Sequence, residues 1–303
     1  MSTPPDRVSG DAASFIGNIP EHYDTGLGPV IFADYAADIA RRTAACGPAR
    51  VLETAAGTGI VTRQLRDVLP SGVHLTATDL NAPMLEVART RFRPGEAVDF
   101  RPADAASLPF SDGAFDAVVC QFGVMFFPQK EAAYREVHRV LAGEGHYLFS
   151  VWDSHRHNPF GRIAHETAAS FFPADPPQFY NVPFSYHRID PIKESLIEAG
   201  FDHINLAVVK LYKEIPDVAR FARGLIHGNP LIDQIRTRGG VEPDRVVTRW
   251  RGLCVRSSAL TLRGCRSKQS CFRSLKGEEI SGETSGDSNC TMSAEIVSYS
   301  SPP

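Results

Sequence analysis

Between about residues 49 and 152, short apolar runs alternate with helical patterns. "ARVLET" reads as a buried strand, and "IVTRQLRDVL" as a helix with Ile60, Val61, Leu65, Val68 and Leu69 on its apolar side. "HLTATD" gives a second strand, "APMLEVARTRF" a second helix and "VDFRPAD" a third strand. "FDAVVCQFG" is a fourth strand, "KEAAYREVHRVLA" a helix and "GHYLFSVW" a fifth strand. Apolar strands alternating with helices predict an α/β fold, a doubly wound and mostly parallel sheet covered on both faces. In such sheets ligands bind at the carboxyl ends of the strands. Glu53, Asp79, Asp104 and Gln121 all fall at or near those ends.

From 154 to 190 the chain is richer in Pro, Phe and His and has no clean period, which reads as an insertion over the strand ends. "DPIKESLIEAGF" then predicts a helix stopped by Gly200, and "HINLAVVKL" a sixth strand. "PDVARFARGLIHGNP" is another helix, with Pro216 near its start and Gly228-Asn229-Pro230 ending it. The composition of the 303 residues, 43% hydrophobic and 22% charged, is that of a globular protein with a sizeable core. A net charge of -3 gives no global pull toward nucleic acid or an anionic membrane. No apolar run approaches the roughly 18 residues of a membrane helix, and the start "MSTPPDRVSG" lacks the pattern of a secretion signal. Only Cys46 and Cys120 lie in the first 250 residues, with no CxxC pair and no metal-like cluster. A reduced, cytoplasmic protein with no bound metal is the expectation.

The chemistry concentrates in "VLETAAGTG". A tight Gly57-Thr58-Gly59 turn after the first strand lets backbone approach a ligand closely. Asp79 ends the second strand about 20 residues on, where a carboxylate can take both ribose hydroxyls. It also precedes "LNAPML", so a helix-capping role is an alternative for it. Asp104 ends the third strand, placed for an adenine amine. A dinucleotide needs its pyrophosphate on a helix N-terminus, usually through GxGxxG, but Thr62 stands where the third glycine would be. A carboxylate at Glu53 sits badly beside a pyrophosphate and well beside the cationic methionine part of S-adenosylmethionine.

"VLETAAGTG", "TATDLNAPML", "PADAASLPFSDGAFDAVVCQFG" and "REVHRVLAGEGHYLFSVW" resemble class I S-adenosylmethionine-dependent methyltransferases over about 49 to 152, the nearest group being the quinone-biosynthesis C-methyltransferase type. The resemblance implies a seven-stranded Rossmann-like sheet whose last strand is antiparallel. It implies contacts with the methionine part at Glu53, Ala55, Gly57 and Gly59, with ribose at Asp79 and Leu80, and with adenine at Met84, Asp104 and Ala105. Gln121 and Phe122 would close the site from strand four. Tyr23, in "EHYDTGLGPVIF", matches a segment that folds over the cofactor in similar proteins. "LAGEG" replaces the usual Pro-Gly-Gly turn of that family.

Methyl transfer needs alignment rather than a nucleophilic side chain, and a base only where the acceptor must lose a proton. His155, His157 and Tyr23 are the candidates near the mouth; "HRH" also reads as a solvated loop, His138 as packing or surface, and no catalytic base is assigned. The expected partner is a small-molecule methyl acceptor. "MFF", "SFF" and "FPADPPQFYNVPF" suggest an apolar one, such as a quinone precursor or lipid, or else lid packing. The rival readings are a nucleotide-cofactor (NAD-type) oxidoreductase, a nucleic-acid methyltransferase and a cofactor-binding protein without catalysis. "QFGVMF" after strand four, in place of an (Asp/Asn/Ser)-Pro-Pro-(Tyr/Phe) motif, counts against nucleic acid as the substrate.

Arg245 to Lys276 carries nine Arg or Lys, no Asp or Glu, and three of the six cysteines. "GEEISGETSGDSNC" after it is polar and flexible in composition. A basic nucleic-acid arm is one reading. A shift of reading frame near Arg249 is the sharper one, because a two-nucleotide shift can restore a helix, an FG turn and an apolar strand. The expectation is therefore one domain over 11–248 (core 49–152, lid about 154–190) and a foreign, disordered tail over 249–303. The last strand would be lost, leaving an uncovered edge between strands five and six, or replaced, with "AEIVSYS" as a substitute.

Overall fold

Val51 and Leu52 are neighbours on the first strand, point to opposite faces, and are both fully buried. That alternation recurs on the fourth strand, where Ala117 and Val119 join Val51 in one apolar cluster while Val118 and Cys120 join Leu52 in another. A sheet apolar on both faces has to be covered on both. The computed structural model describes residues 12–256 and 265–276 and shows this arrangement.

Five parallel strands form the centre: β1 (Arg50–Glu53), β2 (His74–Asp79), β3 (Asp99–Pro102), β4 (Phe115–Gln121) and β5 (Leu141–Trp152). A sixth, β6 (Phe201–Lys213), and a seventh, β7 (Cys265–Lys276), complete the order β3-β2-β1-β4-β5-β7-β6. β7 runs antiparallel to both neighbours. The register aligns the carboxyl ends: Glu53 pairs with Ala77 and Val119, Asp79 with Pro102, and Gln121 with Ser150. The chemistry-bearing side chains of separate strands therefore reach one edge together.

Helices Ala33–Ala44 (α1) and Ile60–Val68 (α2) cover one face of β1 and β4. Helix Ala82–Arg89 (α3) packs against β2 and β3 through Leu85, Ala88, Ala77 and Phe100. Gly59, at φ +74°, starts α2, and a Cβ there would lie 2.8 Å from Ala88 Cβ, so glycine allows both the left-handed turn and the approach of α2 to α3. Helices Lys130–Val140 (α4) and Ile189–Glu198 (α5) cover the other face through Tyr134, Val137, Ile192 and Leu196.

The region 154–190, which has no clean period in sequence, contains a regular helix, Pro159–Ala169 (α6), and a short one, Asn181–Ser185 (α7). Pro159 stands in the first turn of α6, and Phe160, Ile163, Ala164, Thr167 and Ala168 form its buried stripe. The helix expected after Pro216 is Val218–His227 (α8), capped by Asp217, whose carboxylate accepts from Arg220 N at 2.9 Å. Helices Leu231–Arg238 (α9) and Pro243–Arg256 (α10) follow.

α10 runs through position 248, where the domain was expected to end, and Trp250 within it is 1% exposed, packed edge-on to Phe221. The slot between β5 and β6, expected to be uncovered, holds β7. Backbone pairing explains how a strand of mostly polar sequence can sit there: every residue offers an N–H and a C=O regardless of its side chain. "AEIVSYS" lies outside the described residues. No helix among the described residues is long and apolar enough to cross a membrane.

Candidate functional site

β1 delivers Glu53 to the strand edge, where it is 2% exposed. Beyond it Ala55 is held at φ +53°, Gly57 at +55° and Gly59 at +74°. Across the cleft Phe122 is held at +54° after β4. A left-handed non-glycine residue costs on the order of 1–2 kcal/mol, and Ala55 and Phe122 line the same cavity. Gly123 is what lets the two apices meet: a Cβ there would lie 2.5 Å from Ala55 Cβ and 2.8 Å from Cys120 Sγ.

Asp79 fixes the glycine turn. Its Oδ2 accepts from Gly57 N at 2.8 Å, and its Oδ1 accepts from Asn81 N at 2.8 Å. The second bond is the local Asx-type turn that the following helix suggested; the first reaches across 22 residues to the turn. Asp79 is 7% exposed and lines the cleft. Burial raises its pKa, against the opposing pull of the Asn81 and Gly57 hydrogen bonds.

Glu53 lies beside a small cavity of about 30 Å³ bounded also by Tyr23, Ala55, Gly57 and Gln121. Its Oε2 is buried without a hydrogen-bond partner, as are Oγ1 of Thr54, Thr58 and Thr62. Burial pushes the Glu53 carboxyl up to about 8, with the nearby Thr62 hydroxyl opposing the shift and the charge of Asp79 adding to it. Burial and the charges of Asp79 and Asp24 raise the Tyr23 phenol, keeping it protonated. A buried acid with one unpartnered oxygen is better matched by a cationic neighbour than by an anionic one.

A larger cavity of about 210 Å³ opens beside the first and shares Tyr23, Phe32, Ala55, Gly57 and Gln121 with it. Its polar wall holds Asp79, Leu80, Met84, Asp104 and Ala105. Leu80 is 61% exposed at the mouth, whereas Met84 is 4% exposed. Asp104 Oδ1 accepts from Ala106 N at 2.9 Å, turning the chain sharply after β3. Gln121 Nε2 donates to Phe32 O at 3.4 Å, and its Oε1 is buried without a partner. Phe122 is stacked on Trp152, 3.8 Å between centroids and 5° between planes. Eleven of the twelve expected residues therefore line one or other cavity; Gly59 does not, and its part is the α2–α3 packing.

The opposite wall is aromatic. Phe15, Phe126, Phe160, Phe179 and Phe184 line it, with Phe126 stacked on Phe179 at 6.0 Å. Of the three Phe-rich stretches, "MFF" and "FPADPPQFYNVPF" supply this wall. In "SFF", Phe171 and Phe172 pack against the core elsewhere. At the back Tyr180 Oη donates to Leu225 O at 2.6 Å, and Asn229 Nδ2 donates to Tyr180 Oη at 3.2 Å. Burial raises the Tyr180 phenol too.

Neither candidate histidine lines the cleft. His155 packs behind Phe184, with ring centroids 4.7 Å apart and His165 on its other side, and burial lowers its pKa. His157 is exposed. His138 packs edge-on to Phe201. Sequence reasoning missed Asn81, Phe15, Gly123, Trp152, Tyr180 and Asn229. Only Gly123, a glycine just past a strand end, carries a signal comparable to the glycines of the first turn.

Residues 52–149 match the family model of a methyltransferase domain. A demethylmenaquinone methyltransferase of Thermus thermophilus is 38% identical over 117 residues, 38% of this chain and 53% of that protein. A ubiquinone/menaquinone biosynthesis C-methyltransferase of Pseudomonas savastanoi is 32% identical over 168 residues, 51% of this chain and 66% of that protein. The match thus spans about half to two thirds of the length of these relatives. Among solved structures, phosphoethanolamine N-methyltransferase 2 of Haemonchus contortus, crystallised with S-adenosyl-L-methionine, superposes with a TM-score of 0.56 at 17% identity, covering 91% of this chain and 61% of that one. Residues 52–149 thus match a methyltransferase domain, and the described chain has the class I, Rossmann-like methyltransferase fold.

Proposed function

We propose that the chain transfers a methyl group from S-adenosylmethionine to a small, apolar acceptor. The observation that carries this is Glu53, a buried carboxyl with an unpartnered oxygen beside the small cavity that adjoins the cleft. A pyrophosphate there would face both Glu53 and Asp79 and would have to hold both carboxyls protonated, since like charges in a buried site repel strongly. An α-ammonium group instead supplies the missing partner, so the residues present fit this cofactor and disfavour a dinucleotide.

Glu53 would hold the ammonium, with Ala55 and Gly57 beside the methionine chain. Asp79 would accept from the ribose hydroxyls, with Leu80 beside it. Met84, Asp104 and Ala105 would bound the adenine, and Gln121, Phe122 and Tyr23 would close the site. The bound cofactor supplies an activated methyl group on a sulfonium. The chain aligns the acceptor with that methyl and excludes water, the proximity effect that accounts for most of such catalysis. The ionisable side chains at the aromatic wall, the Tyr180 and Tyr23 phenols, are both held protonated by burial. The acceptor is therefore one that ionises by itself or is already nucleophilic.

The aromatic wall supports an apolar acceptor, a quinone precursor or lipid-like molecule, the class suggested by the names of the two relatives. Titration with S-adenosylhomocysteine and with NADH tests the cofactor; binding of NADH and not of S-adenosylhomocysteine overturns the reading. Incubation with methyl-labelled cofactor and a panel of quinols, fatty acids, amines and phenols identifies the acceptor. Label in an amine alone excludes the apolar class.

A further inference from the structure

We infer that Asn81 is a positioning residue that couples the cofactor end of the cleft to assembly of the acceptor wall. The inference rests on the proposed cofactor site and adds to it a link between the two halves.

Asn81 stands at the N-cap of α3, where an asparagine ordinarily turns its side chain onto the first N–H groups of its helix. It makes no such cap bond here. Its Oδ1 accepts from Phe15 N at 3.2 Å, its Nδ2 donates to Ala13 O at 3.0 Å, and Nδ2 also reaches Asp79 Oδ1 at 3.3 Å. One side chain thus joins the carboxylate assigned to ribose with the backbone of a segment 66 to 68 residues earlier.

That segment, residues 12–32, is a strap across the cleft. Phe15 lies between three rings from separate places: Tyr23 at 5.8 Å, Phe126 at 5.9 Å and Phe179 at 6.4 Å. Fixing Phe15 fixes the acceptor wall. The strap continues as a π-helix over Tyr23–Phe32 with Pro29 inside it, a rare conformation that relies on outside contacts. A second clasp supplies one: Arg91 pairs with Asp24 of the strap and donates to Thr58 O, in the glycine turn, at 2.6 Å. Both clasps end on the elements assigned to the cofactor. Whatever steadies Asp79 and the turn therefore steadies the strap, and by linkage an acceptor seated against Phe15 tightens cofactor binding by the same factor.

The experiment is hydrogen exchange on the full chain, wild type and Asn81→Ser, with and without saturating S-adenosylhomocysteine. Serine caps a helix as well as asparagine but is too short to reach both strap atoms, so α3 is retained. In wild type the ligand should slow exchange at residues 12–18 about tenfold, the scale of a typical coupling. In Asn81→Ser at saturation that slowing should disappear, while the 55–59 turn stays ligand-protected and the amides of β4 and β5 exchange as in wild type. Ligand-dependent slowing at 12–18 that is equal in the two proteins overturns the inference, because a merely structural tie gives that result. So does ligand binding to wild type with no effect at 12–18. If the β4 and β5 amides show that Asn81→Ser has unfolded, Asn81→Asp, which keeps an acceptor for Phe15 N and loses the donor to Ala13 O, is read by the same two criteria. A wild-type chain that binds no S-adenosylhomocysteine overturns the proposed function itself, a distinct outcome.

Discussion

Replacing Glu53 by glutamine removes the charge and keeps the shape, and the structure fixes how the effect should vary with pH. Burial and Asp79 hold the Glu53 carboxyl near 8 in the free chain. At pH 7 such a group is roughly one-tenth ionised, so ionising it for an ammonium ligand costs about 1.4 kcal/mol. A charge-assisted hydrogen bond returns roughly 1.5–3 kcal/mol. The net benefit of the carboxylate over glutamine is then roughly 0–1.5 kcal/mol at pH 7 and roughly 1–2.5 kcal/mol at pH 8, where about half is already ionised. Isothermal titration with S-adenosylhomocysteine should show wild-type affinity rising by up to about tenfold per unit between pH 6 and 7.5, with nearly one proton released at pH 7. Glu53→Gln should lose both features and bind about 5- to 70-fold more weakly at pH 8. The ligand-free chain should move the other way. An acid whose folded pKa is raised stabilises the fold fully only below its unfolded value near 4.5 and loses that contribution as pH climbs to about 8. Glu53→Gln should therefore melt higher than wild type at pH 8 in the absence of ligand. A wild-type affinity that is flat between pH 6 and 8, together with an unchanged affinity of Glu53→Gln at pH 8, refutes the pairing of Glu53 with a cation.

Asp79→Ala should weaken S-adenosylhomocysteine binding by roughly 1.5–3 kcal/mol, since it removes a charged acceptor and frees Gly57 N; unchanged affinity takes Asp79 out of the ribose role. Gly57→Val should abolish binding, as judged by titration. A Cβ alone meets only Met84 Cε at 3.4 Å, so the loss comes from the φ of +55° and from branched methyls entering the cleft; normal binding places the turn's function elsewhere. Phe179→Ala should raise KM for the acceptor and leave cofactor affinity within about twofold, because its ring faces Phe126 and Phe15 on the aromatic wall; a selective loss of cofactor binding contradicts that assignment. Resequencing the gene is expected to show a frame change near Arg249, and an intact frame in independent clones defeats that reading.

The strands and their order of use were legible because the parallel centre is apolar on both faces, and a run such as "FDAVVCQ" has few other uses. Glu53, Asp79 and Gln121 were legible for the same reason, since strand ends can be located and polar groups there stand out. The strap was less so. Its π-helix has no amphipathic period, and its shape depends on Asn81 and Arg91 far along the chain. Asn81 itself reads as an ordinary helix cap; only the fold shows its side chain turned the other way. Helix α6 did carry a period, Phe160, Ile163, Ala164, Thr167 and Ala168, but it is a single short helix between irregular stretches rich in Pro and Phe. β7 was illegible for a deeper reason. Seven of its twelve residues are Arg, Lys or Ser, and it is placed by the open slot between β5 and β6 rather than by its own pattern.

Crystals grown with S-adenosylhomocysteine give the most direct measurement of whether this cleft is a sulfonium-cofactor site. The account predicts the ligand's amino group within hydrogen-bond distance of Glu53 and both ribose hydroxyls on Asp79. Ligand density away from the two carboxylates, or Glu53 still without a partner in the complex, would contradict it.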